Sequence, residues 1–126
     1  MKVITLSIDF KEINDVTEFH DRVKHLFGFP DFYGNNFHAF IDCLTSLRFP
    51  EEGMTSLNLK QDEFLLLKIS NINNLNEGLK HDFLLSIQEV NNRSILFGEE
   101  PTILLLLCAQ HKWNMAGEKK NSPVFY

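Results

Sequence analysis

No catalytic or cofactor signature stands in this sequence. It has neither a Gly-rich phosphate loop nor a Gly-x-Ser-x-Gly turn, which removes the commonest local marks of nucleotide binding and serine hydrolysis. There is no Cys-x-x-Cys, and the five histidines, at 20, 25, 38, 81 and 111, never stand three or four apart. A metal site built on local spacing is therefore not expected, nor is any cofactor. Only two cysteines occur, Cys43 and Cys108, each within a patterned apolar segment. They are expected as reduced, buried thiols rather than a disulfide. The longest apolar run, Ile103 to Ala109, has seven residues, against the roughly 20 that a membrane-spanning helix needs. The opening residues carry too short an apolar segment for a signal peptide and no small-residue cleavage site. The expectation is a soluble, cytoplasmic chain with no membrane partner.

Basic clusters are missing too. Seventeen acids stand against 12 Lys and Arg, for a net charge of -5, and no basic cluster exceeds the Lys119-Lys120 pair. Binding a phosphate backbone depends on many cations, so no direct nucleic-acid partner is expected. A basic protein partner, such as an enzyme that itself handles nucleic acid, fits the charge better. Polar aromatics are equally scarce: twelve Phe stand against two Tyr and one Trp, which points to a Phe-rich core. With 126 residues the chain is one domain with room for an ordinary core.

Local patterns order the elements. Ile4, Leu6 and Ile8 alternate with Thr5 and Ser7, the period of a first strand. Asp15 to Glu18 reads as a capping box. Val16, Phe19, Val23, Leu26 and Phe27 follow at helical spacing up to the stop at Gly28 and Pro30. Gly34 gives the backbone freedom to turn, and Asn35 or Asn36 can cap a second helix. On that helix Phe37, Phe40, Leu44 and Leu47 form the apolar arc, with Cys43 at its edge. His38, Asp42, Thr45 and Ser46 lie opposite, and Ile41 sits on the border. Pro50 to Gly53 reads as a loop, and Met54 to Leu59 as an extra edge strand. Phe64 to Ile69 is a near-continuous apolar strand, the pattern of one covered on both faces. Leu79, Phe83, Ile87 and Val90 mark a third helix with a stop at Asn91-Asn92, and Thr102 to Cys108 a third strand. The order predicts an α/β domain over 1–109, with a three-stranded, mainly parallel sheet and three to four helices. Residues 110–126 read as a polar, partly mobile tail.

On pattern alone Asp42 reads as a surface acid of an amphipathic helix, and Phe32 and Tyr33 as core aromatics flanking a turn. His20 and His81, each followed by Asp, read as solvated surface. The stretch Pro30-Asp31-Phe32-Tyr33-Gly34-Asn35-Asn36-Phe37, continued by Ala39 and Asp42-Cys43-Leu44-Thr45, nevertheless resembles the signature segment of the barstar family, the intracellular inhibitors of barnase-like ribonucleases. The similarity continues more weakly to about residue 108.

What the resemblance implies is an inhibitor rather than an enzyme, monomeric when free, whose partner is a cognate ribonuclease toxin with a basic active site. The family's second helix and the loop before it plug that site, and an aspartate matching Asp42 takes the place of substrate phosphate. A carboxylate can do so because it accepts charge-assisted hydrogen bonds from Arg or Lys as a phosphate oxygen does. Phe32, Tyr33, Gly34, Asn36 and Thr45 fall at matching positions, and Glu89 matches a second acidic contact. Glu89 also reads as a carboxylate in the last turn of its helix, an unfavourable place by about 0.3 to 1 kcal/mol that a functional role would explain. Three positions depart from the pattern. His38 stands where the best-known members carry an acid, Ile41 where they carry a tryptophan, and Phe32 where they carry a tyrosine, which points to a partner other than barnase itself. Two other readings remain open: an interaction or regulatory module that keeps the fold without inhibiting a nuclease, and an enzyme assembled from His38 and Asp42, which share a helix face.

Overall fold

A computed structural model describes residues 2–110 and 121–125. Strand β1 (Lys2–Asp9) leads into helix α1 (Val16–Phe27), helix α2 (Phe37–Thr45) and strand β2 (Glu63–Ser70). Helix α3 (Glu77–Leu96), strand β3 (Ile103–Gln110) and strand β4 (Asn121–Phe125) complete the order. Single 3-10 turns precede β2 at Pro50–Glu52 and follow it at Ile72–Asn74. The sheet runs β1-β2-β3-β4, with parallel pairing from β1 to β3 and an antiparallel fourth strand. The three parallel strands and three helices are those expected of this α/β class.

The caps formed largely as their residues dictate. Asp15 accepts the Glu18 amide at 2.8 Å, while the Glu18 carboxylate reaches the Asn14 amide at 3.2 Å, one residue before the cap. At the far end Gly28 takes φ 68° and Phe29 N–H closes onto the Lys24 carbonyl at 3.0 Å, the left-handed ending that glycine allows. α2 begins at Asn36, whose side chain accepts the Ala39 amide at 2.8 Å. The left-handed residue in the turn before it is Asn35, at φ 52°, not Gly34.

Four sequence readings are corrected. Met54 to Leu59 is not an edge strand, because its amides are used elsewhere: Ser56 N–H binds the Phe27 carbonyl at 2.9 Å and Leu59 N–H the Leu47 carbonyl at 2.8 Å. The segment thus covers the ends of α1 and α2. The extra strand is β4, drawn from the stretch read as a polar tail; the rest of that stretch, 111–120, lies outside the described residues, as do Lys119 and Lys120. α3 does not stop at Asn91-Asn92 but runs on to Leu96. Finally, β2 has helices on one face only. Stepping β1 to β2 to β3 in one direction with right-handed crossovers puts every helix on the same side. Leu65, Leu67 and Ile69 are buried there, while on the other face Phe64 is buried at the start of the strand, Leu66 half-buried and Lys68 exposed.

Between sheet and helices lies the predicted phenylalanine core. Phe19 sits at its middle, with the rings of Phe10, Phe37, Phe40 and Phe83 at centroid distances of 5.5 to 5.8 Å. Cys43 is buried and Cys108 half-buried, and both thiols are free. Among the described residues no helix is long and apolar enough to cross a membrane.

Candidate partner-binding face

The segment 30–45, which carries the resemblance, divides between core and surface. Tyr33 is buried, its hydroxyl 2.6 Å from His20 Nδ1, and Phe29 and His20 pack against its ring. His20 is itself 1% exposed, so the reading of it as solvated surface fails. α1 alone would leave its ring at the margin; the loop carrying Tyr33 and the first turn of α2, with Phe37, close over it. Burial holds the His20 imidazole below its ordinary pKa, Asp21 opposing, and pushes the Tyr33 hydroxyl well above its own. Tyr33 therefore supports the loop from within the core. Its neighbour Phe32 projects outward, 76% exposed.

Along α2 the polar side chains have unequal freedom. Asn36 is occupied by the cap, and the Thr45 hydroxyl donates to the Ile41 carbonyl at 2.7 Å. Ile41 is half-buried against the core. Gly34, His38 and Asp42 face solvent; His38 and the ring of Phe32 stand open, while the exposed Asp42 carboxylate is met on one side by α3. Beneath Asp42, burial and then the Asp42 charge push the Cys43 thiol up to about 11.

α3 packs across α2 and brings the second acid to the first. Arg93 Nη1 donates to Asp42 Oδ1 at 2.8 Å, and its Nε lies 3.5 Å from Glu89 Oε1. The hydrogen bond to Asp42, with Glu89 adding to it, raises the Arg93 guanidinium further above neutral pH. Asp42 and Glu89 thus flank one cation, a grouping the sequence reading missed by ending the helix early. Had α3 been carried through Asn92, the Glu89 to Arg93 spacing of four would have marked the pair. The same extension corrects the argument from helix position. Glu89 lies well before the end of α3 at Leu96, outside the last turn, where the macrodipole penalty has faded.

Beside the triad, Asp42, Thr45, Phe49, Glu52, Met54, Arg93 and Phe97 line an open cleft of about 510 Å³. Ile95, Leu96 and Phe97 stand exposed at the end of α3. A separate groove of about 420 Å³ between α3 and β3 contains none of the predicted contact residues. His38 and Asp42 make no hydrogen bond to each other among the described residues, and there no group of three or more His, Cys, Asp and Glu could hold a metal ion.

The arrangement joins an exposed carboxylate on a short helix, a second acid beside it, and an outward aromatic on the preceding loop. A family model described as Barstar (barnase inhibitor) matches residues 3–94. No curated protein gives a significant match. The family match spans β1 to the last turns of α3, including the whole of the α2 face, and the chain belongs to the barstar family.

Proposed function

We propose that this chain is the immunity protein of a ribonuclease toxin, binding the toxin in the cytoplasm of the cell that makes it and covering its active site with the α2 face. The observation that carries the reading is the exposed Asp42 on α2 within a barstar-family chain. The carboxylate takes the place of a substrate phosphate among the toxin's cations, accepting the charge-assisted hydrogen bonds that a phosphate oxygen would accept. Phe32 and His38 frame it from the loop and the first turn, and Glu89 adds a second acid from α3. The chain's acidic balance, -5 overall, steers it toward a basic partner and makes association sensitive to salt. On this reading the activity is occlusion of the toxin's active site.

One observation favours a second reading, an interaction module that keeps the fold without inhibiting a nuclease: Asp42 already has a cationic partner in Arg93. Mixing the chain with barnase-type ribonucleases and following RNA cleavage separates the two. Stoichiometric protection supports inhibition; unimpeded cleavage, with a non-nuclease recovered as the bound partner, supports the module.

A further inference from the structure

Arg93 has no role in the reading above, and the inference here rests on that reading. Arg93 and Asp42 come from different helices, 51 positions apart in sequence, yet Nη1 and Oδ1 meet at 2.8 Å. The guanidinium therefore occupies one oxygen of the carboxylate that a partner's cation has to reach. The pair is not locked: the two side chains are 37% and 63% exposed, where solvent screening leaves an ion pair weak and exchangeable. Arg93 also has a second acceptor at hand. Glu89 is four residues back on the same helix, with its Oε1 already 3.5 Å from Nε, and Glu placed four before Arg is the favourable order on a helix.

We propose that Arg93 is an internal competitor for Asp42, released to Glu89 when a partner's cation takes the Asp42 carboxylate. It is a specificity-determining residue acting through Asp42. In the free protein it neutralises the carboxylate, so a partner offering one loosely placed ammonium group exchanges like for like and gains little. A partner whose cleft fixes a planar guanidinium across both carboxylate oxygens gains more than it displaces. Arg93 thus discriminates by opposing the wrong partners. The partner that fits is a protein with a rigidly held arginine at the floor of a basic cleft.

The test compares wild type, Arg93→Met, Asp42→Asn and the double variant, using as probes catalytically inactivated barnase and a second, catalytically inactivated barnase-type ribonuclease. Arg93→Met is expected to tighten binding about two- to fivefold, the range for release of an exposed ion pair. That gain is expected to vanish in the Asp42→Asn background. Weaker binding by Arg93→Met, or an equal gain in both backgrounds, overturns the proposal. Nitrogen NMR of the Arg93 side chain gives a readout independent of affinity: restrained Nη groups in the free wild type, released both in free Asp42→Asn and in the wild-type complex. Unchanged Nη signals in free Asp42→Asn or in the complex overturn the exchange. Failure of the wild type to bind either probe contradicts the inhibitor reading instead.

Discussion

Replacing Tyr33 by Phe separates support of the binding loop from contact with the partner. The ring is 7% exposed and its hydroxyl shares a 2.6 Å hydrogen bond with His20 Nδ1. His20 Nε2 is buried with no partner among the described residues, so the substitution leaves both nitrogens of a buried imidazole unsatisfied there. A stranded buried polar group costs about 1–3 kcal/mol, against a total stability of about 5–15 kcal/mol for a domain of this kind. Phe at 33 keeps the packing on Phe29, whose ring centroid is 4.8 Å away, so the loss is confined to the polar pair. Urea denaturation at pH 7.5 is expected to show a loss of about 1–3 kcal/mol for Tyr33→Phe, most of it recovered in Tyr33→Phe/His20→Leu, where both polar partners are gone. Inhibition by the folded variant is expected to stay within about threefold of wild type, less than the roughly 1.4 kcal/mol that makes a factor of ten. The pair also sets a pH dependence. Burial holds His20 below its ordinary value, so the folded chain takes up the proton at lower pH than the unfolded one. The His20 contribution is complete above about pH 6.5 and is lost as pH falls from there through the folded-state value. The slope that wild type shows in this window and His20→Leu lacks is that contribution. Unchanged stability together with lost inhibition in Tyr33→Phe would refute the supporting role.

Two further substitutions test how the face is held in place. Arg48, just past α2, donates through its two Nη groups to the carbonyls of Glu63, Glu100 and Pro101 and to the Thr102 hydroxyl, with the ring centroid of Phe64 at 5.7 Å. Arg48→Ala removes three bonds to part-buried carbonyls and one to the buried Thr102 hydroxyl and is expected to lower stability by about 3–5 kcal/mol; Arg48→Met, which removes the charge but keeps a stem, loses less, and equal urea midpoints for the two would contradict this. Asn91 joins α3 to β3 through three hydrogen bonds of 2.8 to 2.9 Å to the backbone of Thr102 and Ile103. Asn91→Ala is expected to cost about 2–3 kcal/mol and to speed amide exchange at the start of β3, whereas a helix-stop residue replaced by alanine would leave that exchange unchanged.

The parts of this molecule legible in sequence are those where one element's own pattern decides. The alternation in β1, the cap at Asp15, the left-handed ending at Gly28 and the arc from Phe37 to Leu47 all formed in place, because periodicity and caps are local. Pairings between distant elements stayed hidden. His20 looked like surface because its burial depends on Phe37 and Tyr33, contributed by the next segment. Asn91 looked like a helix stop because its amide group reaches strand β3 rather than its own chain end. β4 looked like a tail because its place in the sheet comes from backbone pairing with β3, which a polar composition conceals. In the candidate site, Asp42 was visible through its helix face and its match to a known motif. Arg93 was not, because the bond joining it to Asp42 crosses between helices.

RNA cleavage by a barnase-type ribonuclease, with wild type and Asp42→Ala as inhibitors, tests the central claim most directly. Asp42 and Arg93 form an exposed pair, so Asp42→Ala loses no more than about 1 kcal/mol of stability and stays folded. Truncating one member of a desolvated interface charge pair costs about 2–5 kcal/mol or more, on a scale whose reference complex, barnase with barstar, belongs to this family. That is at least about thirtyfold in affinity. The account predicts that one equivalent of wild type stops cleavage and that the same concentration of Asp42→Ala does not. Undiminished cleavage with wild type, or equal protection by Asp42→Ala at limiting concentration, would contradict it.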